Sequence, residues 1–222
     1  MEEIQREVPN SLVRLNCNKW LRMDANHYYK VRTRKGVYAL ISDFIRGVSV
    51  EFEVVPGLFS YRQVDEGTRL LLEYAKIPEE GVILDLGCGY GVIGIVIAKL
   101  NPKLEVYMVD INKDAVEIAR RNILRNKLDP EKVKVIHGNL YEPVKGLKFD
   151  AIYSNPPFSA GMNVVEKIVL EAPQNLKPVG TLQIVVRKGS EKMRKLMLEI
   201  FGNIEILCSK KGYKVLLSRN RG

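Results

Sequence analysis

The stretch Val82-Ile83-Leu84-Asp85-Leu86-Gly87-Cys88-Gly89-Tyr90-Gly91 limits what this chain can fold into more than any other. An apolar run carrying one acid feeds three glycines spaced two apart, and the apolar segment Val92 to Leu100 follows at once. This pattern predicts a buried parallel strand, a tight glycine turn and a helix packed behind it. Glycines allow the backbone to approach a ligand, because a Cβ would occupy that space. The helix start then aims unpaired N–H groups at whatever binds there. The spacing Gly89-x-Gly91-x-x-Gly94 also fits a dinucleotide fingerprint, a weak match by itself.

Strand and helix patterns alternate downstream. Strands are expected at Leu104 to Asp110, Val133 to His137, Phe149 to Ser154 and Thr181 to Arg187, the last entered through a turn at Leu176 to Gly180. Helices are expected at Asp65 to Ala75, Asn112 to Lys127, Asn163 to Asn175 and Glu191 to Phe201. Ile204 to Leu217 reads as a closing hairpin. Such alternation means a parallel sheet covered on both faces. Ligands of open α/β sheets bind beyond the carboxyl ends of the strands, where Asp85, Gly87, Gly89, Asp110, Asn139 and Asn155 all fall.

Ahead of this unit, residues 1–55 form a basic appendage, and residues 56–222 the α/β domain. Between Arg14 and Arg46 there are eight basic and two acidic residues, out of a chain total of 35 and 26. Strand-like runs sit at Val37 to Ile41 and Val48 to Val54, and Trp20, His27, Tyr28, Tyr29 and Tyr38 lie among the cations. Cations capture phosphates and rings stack on unpaired bases, so Arg32, Arg34, Lys35, Tyr28 and Tyr29 are candidates for contact with RNA. The same rings could equally build the appendage's core.

The formal net charge of +9 suits a polyanionic partner. No apolar run is long enough to span a membrane. The acidic, polar start at Met1 to Val8 predicts no signal peptide. Three widely spaced cysteines offer neither a disulfide framework nor a metal site, and cytoplasmic, reduced thiols are the expectation. His137, on an apolar strand, is expected to be packed rather than catalytic, and Cys88 to be a small filler rather than a nucleophile.

After the fourth strand of the α/β unit comes Asn155-Pro156-Pro157-Phe158. The amine on a nucleobase has its lone pair spread into the ring and is a poor nucleophile. Two acceptors, the Asn155 side-chain oxygen and the Pro156 carbonyl, can hold both its hydrogens and orient what remains of the lone pair. The prolines stiffen the turn, and Phe158 offers a face for stacking.

With Asp85 and the glycines, this motif resembles the class I S-adenosylmethionine-dependent methyltransferases over about residues 54 to 218. Phe158-Ser159-Ala160-Gly161, Glu171-Ala172-Pro173, Leu176-Lys177-Pro178 and Phe201-Gly202-Asn203 resemble more closely the small-subunit ribosomal RNA guanine-N2 methyltransferases, in their archaeal single-domain form. The resemblance implies a Rossmann-like, mostly parallel seven-stranded sheet with a C-terminal antiparallel hairpin, and S-adenosylmethionine as cofactor. It implies that the turn Asp85, Gly87, Cys88, Gly89, Gly91 holds the methionine end, that Asp110 takes the ribose hydroxyls, and that Ile111 packs on the adenine. Asn139 and Leu140 would sit at the adenine edge. Phe59, Asp65 and Thr68 would border the cofactor, or else serve as core and helix cap. A release-factor-type glutamine N5-methyltransferase, a tRNA base methyltransferase and a non-catalytic RNA-binding factor remain as alternatives.

Overall fold

The computed structural model describes residues 27–33, 36–55, 63–156, 161–187 and 189–222. Strands β1 (His27–Thr33), β2 (Gly36–Ile45) and β3 (Val48–Val54) form an antiparallel sheet. Then follow α1 (Glu66–Tyr74), β4 (Gly81–Leu86), α2 (Val92–Leu100), β5 (Leu104–Asp110), α3 (Lys113–Arg125), β6 (Val133–His137), β7 (Phe149–Ser154), α4 (Met162–Asn175), β8 (Leu176–Val186), α5 (Ser190–Phe201), β9 (Glu205–Lys210) and β10 (Tyr213–Arg219). The second sheet has the order β6-β5-β4-β7-β8-β10-β9. Pairings from β6 through β8 are parallel, and β10 runs antiparallel to both its neighbours. It is thus the expected seven-stranded sheet with one reversed strand.

Strand order reverses between β5-β4 and β7, so a crevice opens beyond the ends of β4, β5 and β7. The apolar runs of β4 and β7 are buried on both faces, as central parallel strands require. Ile83, Ile95 and Val106 belong to the core on one face; Leu84, Ile152 and Met197 belong to the core on the other.

Two segments differ from expectation. The sequence pattern predicts no strand at His27–Thr33, where charged and aromatic residues obscure any alternation; it is β1, paired along its length with β2. The expected turn at Leu176–Gly180 belongs to β8, but the register jumps from Phe149↔Leu176 to Ala151↔Thr181. The intervening Val179 takes φ 59° and is held by Asn220, whose carbonyl accepts from Val179 N and whose N–H donates to Gly180 O. Proline and a left-handed residue therefore make a bulge inside a strand instead of ending it.

The small sheet docks on the large one through side-chain amides of α3. Asn122 Oδ1 accepts from Glu53 N at 2.7 Å, and its Nδ2 donates to Glu53 O at 3.0 Å and Tyr90 O at 2.9 Å. One turn on, Asn126 treats Glu51 the same way, at 3.1 and 2.7 Å. Two amides thus satisfy the open edge of β3 as a further strand would. Val50, Phe52 and Val54 on the same strand enter the core shared with α1 and α2. Because Asn122 is fully buried, Asn122→Ala would strand several backbone groups. We expect it to lower unfolding stability by about 2 kcal/mol in urea titration.

Helix α1 is clamped at its end by the same sheet. Arg46 donates to Leu72 O at 2.9 Å and Ala75 O at 2.8 Å, satisfying the last carbonyls of the helix. Arg69 pairs with the buried Asp43 of β2.

Candidate active site

One cavity of about 390 Å³ lies at the strand ends where the order reverses, within the usual range for a small-molecule site. Its wall is made from the ends of four strands and their following turns: Gly87 to Tyr90, Asp110 to Asn112, Gly138 to Leu140, and Asn155 with Pro156. Helix α1 contributes Asp65, its N-cap, and Thr68.

The glycine turn leaves the cavity open on its side. Gly87 and Gly89 have φ +75° and +56°, and a Cβ added to either meets nothing within 4 Å. Both line the cavity, so a side chain there would take up ligand space. The turn is tied to β5 by Gly87 N and Cys88 N, which donate to Val109 O at 2.8 and 3.0 Å. Asp110 completes the tie: its Oδ2 accepts from Gly89 N at 2.7 Å and its Oδ1 from Asn112 N at 2.8 Å. Each carboxylate oxygen has a second lone pair, so the pair presents acceptors to a diol. Next to it, Ile111 is 67% exposed although apolar, and it lines the cavity. An exposed aliphatic side chain at a strand end gives a flat ring a surface to cover.

Asp85 and Gly91 stand behind this wall and do not line it. Asp85 is fully buried; its Oδ2 accepts from Gly94 N at 2.9 Å, which ties the start of α2 back to β4, and its Oδ1 has no hydrogen-bond partner. Gly91 is the left-handed N-cap of α2, and a Cβ there would press on Ile95 and Ala119. Burial pushes the Asp85 carboxyl up from 3.8 to about 7; the Gly94 N–H opposes this and the Asp110 charge adds to it.

This shift has a consequence for stability. The unfolded chain gives up the Asp85 proton near pH 3.8, while the folded chain keeps it to about pH 7. Between those values the folded state binds the extra proton, so its stability falls as pH rises and levels off above about 7. The full difference would amount to about 4 kcal/mol; relaxation and water entry around the charge reduce such penalties, so roughly half is expected. Asp85→Asn should therefore gain roughly 2 kcal/mol on the wild type between pH 4 and 7 in parallel urea titrations, with no further gain at pH 8.

Cys88 lines the cavity with its thiol donating to Gly89 O at 3.6 Å. Burial, with Asp85 and Asp110 nearby, pushes that thiol well above its usual range, so it stays protonated and is no nucleophile. His137 is exposed, not packed as its strand pattern implied; it ends β6, and its Nε2 contacts Ile111 O at 3.0 Å, bracing the residue expected at the adenine. Asn139 is exposed at the rim with Nδ2 3.4 Å from Glu142 Oε1, and Leu140 turns the chain at φ 47°.

Asn155 closes the other end. Its Nδ2 donates to Asp65 Oδ2 and to Thr68 Oγ1, each at 2.8 Å. Asp65 Oδ2 also accepts from Thr68 N at 3.0 Å as the cap of α1. The Asn155 nitrogen is thereby committed, and Oδ1 is the part of the amide left for a ligand. Pro156 is buried beside it in the cavity wall. Sequence reasoning gave Tyr90 no role. It lines the cavity with its ring edge-on to Phe52 of β3, centroids 5.5 Å apart, so the small sheet supports the wall directly.

Phe59, Pro157, Phe158, Arg34, Lys35 and Trp20 lie outside the described residues. Tyr28, Tyr29 and Arg32 lie on β1, opposite Ile41, Leu40 and Val37. Among the described residues, no three His, Cys, Asp or Glu side chains gather as a metal site.

The family profile described as Methyltransferase small domain matches residues 49–217. The chain belongs to the methyltransferase small domain family. Within it, the chain is 34% identical over 194 residues to a ribosomal RNA small subunit methyltransferase C of Hamiltonella defensa, covering 85% of this chain and 56% of that protein. It is 33% identical over 203 residues to an uncharacterized Bacillus subtilis protein, covering 88% of this chain and 98% of that one. Among solved structures it is similar to a 16S rRNA N2 guanine methyltransferase from T. Thermophilus in complex with AdoMet and guanosine. That match has a TM-score of 0.74 and 26% identity, over 88% of this chain and 58% of the other. The chain therefore spans about half the length of the named ribosomal RNA methyltransferases it matches. The match of the family profile begins within β3, the strand that α3 holds by its edge.

Proposed function

We propose that this protein transfers a methyl group from S-adenosylmethionine to the exocyclic N2 of guanine in small-subunit ribosomal RNA, and so works in the cytoplasm. One observation carries the reading: a single cavity is lined both by the Asp110 carboxylate and by Asn155 with Pro156. The similarity to a ribosomal RNA guanine methyltransferase solved with AdoMet and guanosine supports the choice of base and donor.

S-Adenosylmethionine, when bound, supplies a methyl carbon on positively charged sulfur, and that carbon–sulfur bond breaks with its electrons going to sulfur as nitrogen bonds to carbon. Asp110 would hold the ribose hydroxyls, Ile111 would cover one adenine face, and the backbone of Gly87 and Gly89 would lie along the methionine chain. Asn139 and Leu140 would border the adenine edge. Asn155 Oδ1 and the Pro156 carbonyl would take the two amine hydrogens, steadying the nitrogen as it turns positive. The positively charged nitrogen would then lose one proton to water, and no side chain of shifted pKa is needed as base. Pro157 would stiffen the turn, and Phe158 would stack on the guanine. The base must be unpaired or flipped out to reach Asn155. The basic segment with Tyr28, Tyr29, Arg32, Arg34 and Lys35 would meet the RNA phosphates and bases.

The test offers labelled S-adenosylmethionine with total RNA and total protein side by side, then digests the labelled RNA to nucleosides. Label in N2-methylguanosine from small-subunit RNA is the expected result. Label in protein with RNA blank would overturn the reading in favour of a glutamine amide as acceptor.

A further inference from the structure

We infer that Asp65 is a positioning residue: with Thr68 it fixes which end of the Asn155 amide faces the cavity. It thereby sets the site to receive an N–H donor and to refuse a carbonyl at the same place. The effect on turnover rests on the amine-methylation reading above; the orientation of the amide rests on geometry alone.

An asparagine amide is nearly symmetric in shape but opposite in polarity at its two ends. Its orientation here is set by α1. A carboxylate carries no hydrogen, so only the Asn155 nitrogen can face Asp65 Oδ2, which it does at 2.8 Å. Thr68 Oγ1 takes the second hydrogen at 2.8 Å. Thr68 is itself buried and located by its own backbone N–H, which donates to the same Asp65 oxygen at 3.0 Å. Both amide hydrogens are thus consumed by the first turn of one helix, and the carbonyl oxygen is what Asn155 presents.

Helix α1 can act as a fixed reference because it is held at both ends. Arg46 takes the carbonyls at its C-terminal end, and Arg69 pairs with the buried Asp43 of β2. Beyond the helix, Lys76 is bonded both ways to the buried Gln183 of β8, at 2.9 and 2.7 Å. Gly67 in the first turn of α1 is crowded: a Cβ there would lie 2.9 Å from Asp65 Oδ2 and 2.9 Å from the Tyr213 ring. Gly67 therefore leaves room for the Asp65 carboxylate to occupy the position from which it reaches Asn155.

Four variants test this. Asp65→Ala should lower kcat on small-subunit ribosomal RNA by roughly 30-fold while the Kd for S-adenosylmethionine, read by calorimetry, moves by less than about threefold. Gly67→Ala alters neither Asp65 nor Asn155 yet should lower kcat in the same sense, because its Cβ would press on the Asp65 carboxylate and push it aside. Asn155→Asp alone sets two carboxylates against each other and should be nearly inactive. The exchanged pair Asp65→Asn with Asn155→Asp again sets one donor against one acceptor, with the new amide's oxygen kept on Thr68 N and its nitrogen turned to the new carboxylate, and should regain at least about tenfold over Asn155→Asp. A role in helix capping alone would not produce that regain, because asparagine caps as well as aspartate.

A second measurement does not depend on activity. The Asn155 side-chain NH2 signals, assigned by their absence in Asn155→Asp, should exchange slowly with deuterium in the wild type and quickly in Asp65→Ala. If the wild type methylates no guanine but shows this protection and its loss, the proposed function fails and the inference stands. If the wild type methylates guanine while the amide exchanges equally fast in both proteins, the inference is overturned. It is overturned as well if the exchanged pair shows no regain.

Discussion

Asn155→Ala is expected to lower turnover by roughly 10³-fold while leaving S-adenosylmethionine affinity within a few-fold. The asymmetry follows from where Asn155 sits. It lines the cavity at the end opposite Asp110, and its nitrogen is already bound to Asp65 and Thr68, so cofactor binding draws little on it. Its oxygen would work only as the amine nitrogen becomes positive. An interaction that strengthens in the transition state appears in kcat and not in ground-state binding. Single-turnover methyl transfer at saturating cofactor, beside calorimetric titration of the same variant, separates the two quantities. A variant that kept turnover within a few-fold would remove the proposed amine-holding role, and with it the main reason to place the target base beside Pro156.

The parts of the site that sequence made legible are those encoded within one short segment. The run from Val82 to Gly91 specifies strand and turn because apolar β-residues meet glycines that alone tolerate φ of +75° and +56°. Asp110 was legible because it is the acid that ends an apolar strand, and Asn155 because two prolines follow it. What was not legible joins distant segments. Asp65 looked like a cap or a cofactor neighbour, and only the fold places its carboxylate 2.8 Å from an amide 90 positions away. Asn122 and Asn126 look like ordinary polar residues of an amphipathic helix, yet they hold the edge of β3. Asp85 is implied at the methionine end of the cofactor, but its carboxylate does not line the cavity, and its Oδ2 accepts from Gly94 N in the first turn of α2. His137 followed the alternation of its strand in sequence, yet the strand ends there and the ring stands outside the core.

Asp110→Ala is expected to weaken S-adenosylmethionine binding by roughly 100-fold, with turnover at saturating cofactor reduced far less. Two ribose hydroxyls donating to one carboxylate are each worth about 1.5 kcal/mol when the acceptor is charged, and about 3 kcal/mol together is a hundredfold in Kd. A second loss adds to this. Asp110 also accepts from Gly89 N and Asn112 N, so its removal frees the glycine turn from the end of β5. Asp110→Asn does not separate the two contributions, because each carboxylate oxygen already accepts one N–H of the turn, and an amide would set its own N–H groups against either Gly89 N or Asn112 N as well as against a ribose hydroxyl. A cofactor analogue lacking the ribose hydroxyls gives the decisive comparison. The wild type, whose glycine turn stays tied, should bind it more tightly than Asp110→Ala binds S-adenosylmethionine, the difference being the contribution of the turn, and Asp110→Ala should no longer tell the two ligands apart. If Asp110→Ala still preferred the hydroxylated ligand by the wild-type margin, the diol would be read elsewhere on the rim, and the bond to Gly89 would be the whole of Asp110's contribution.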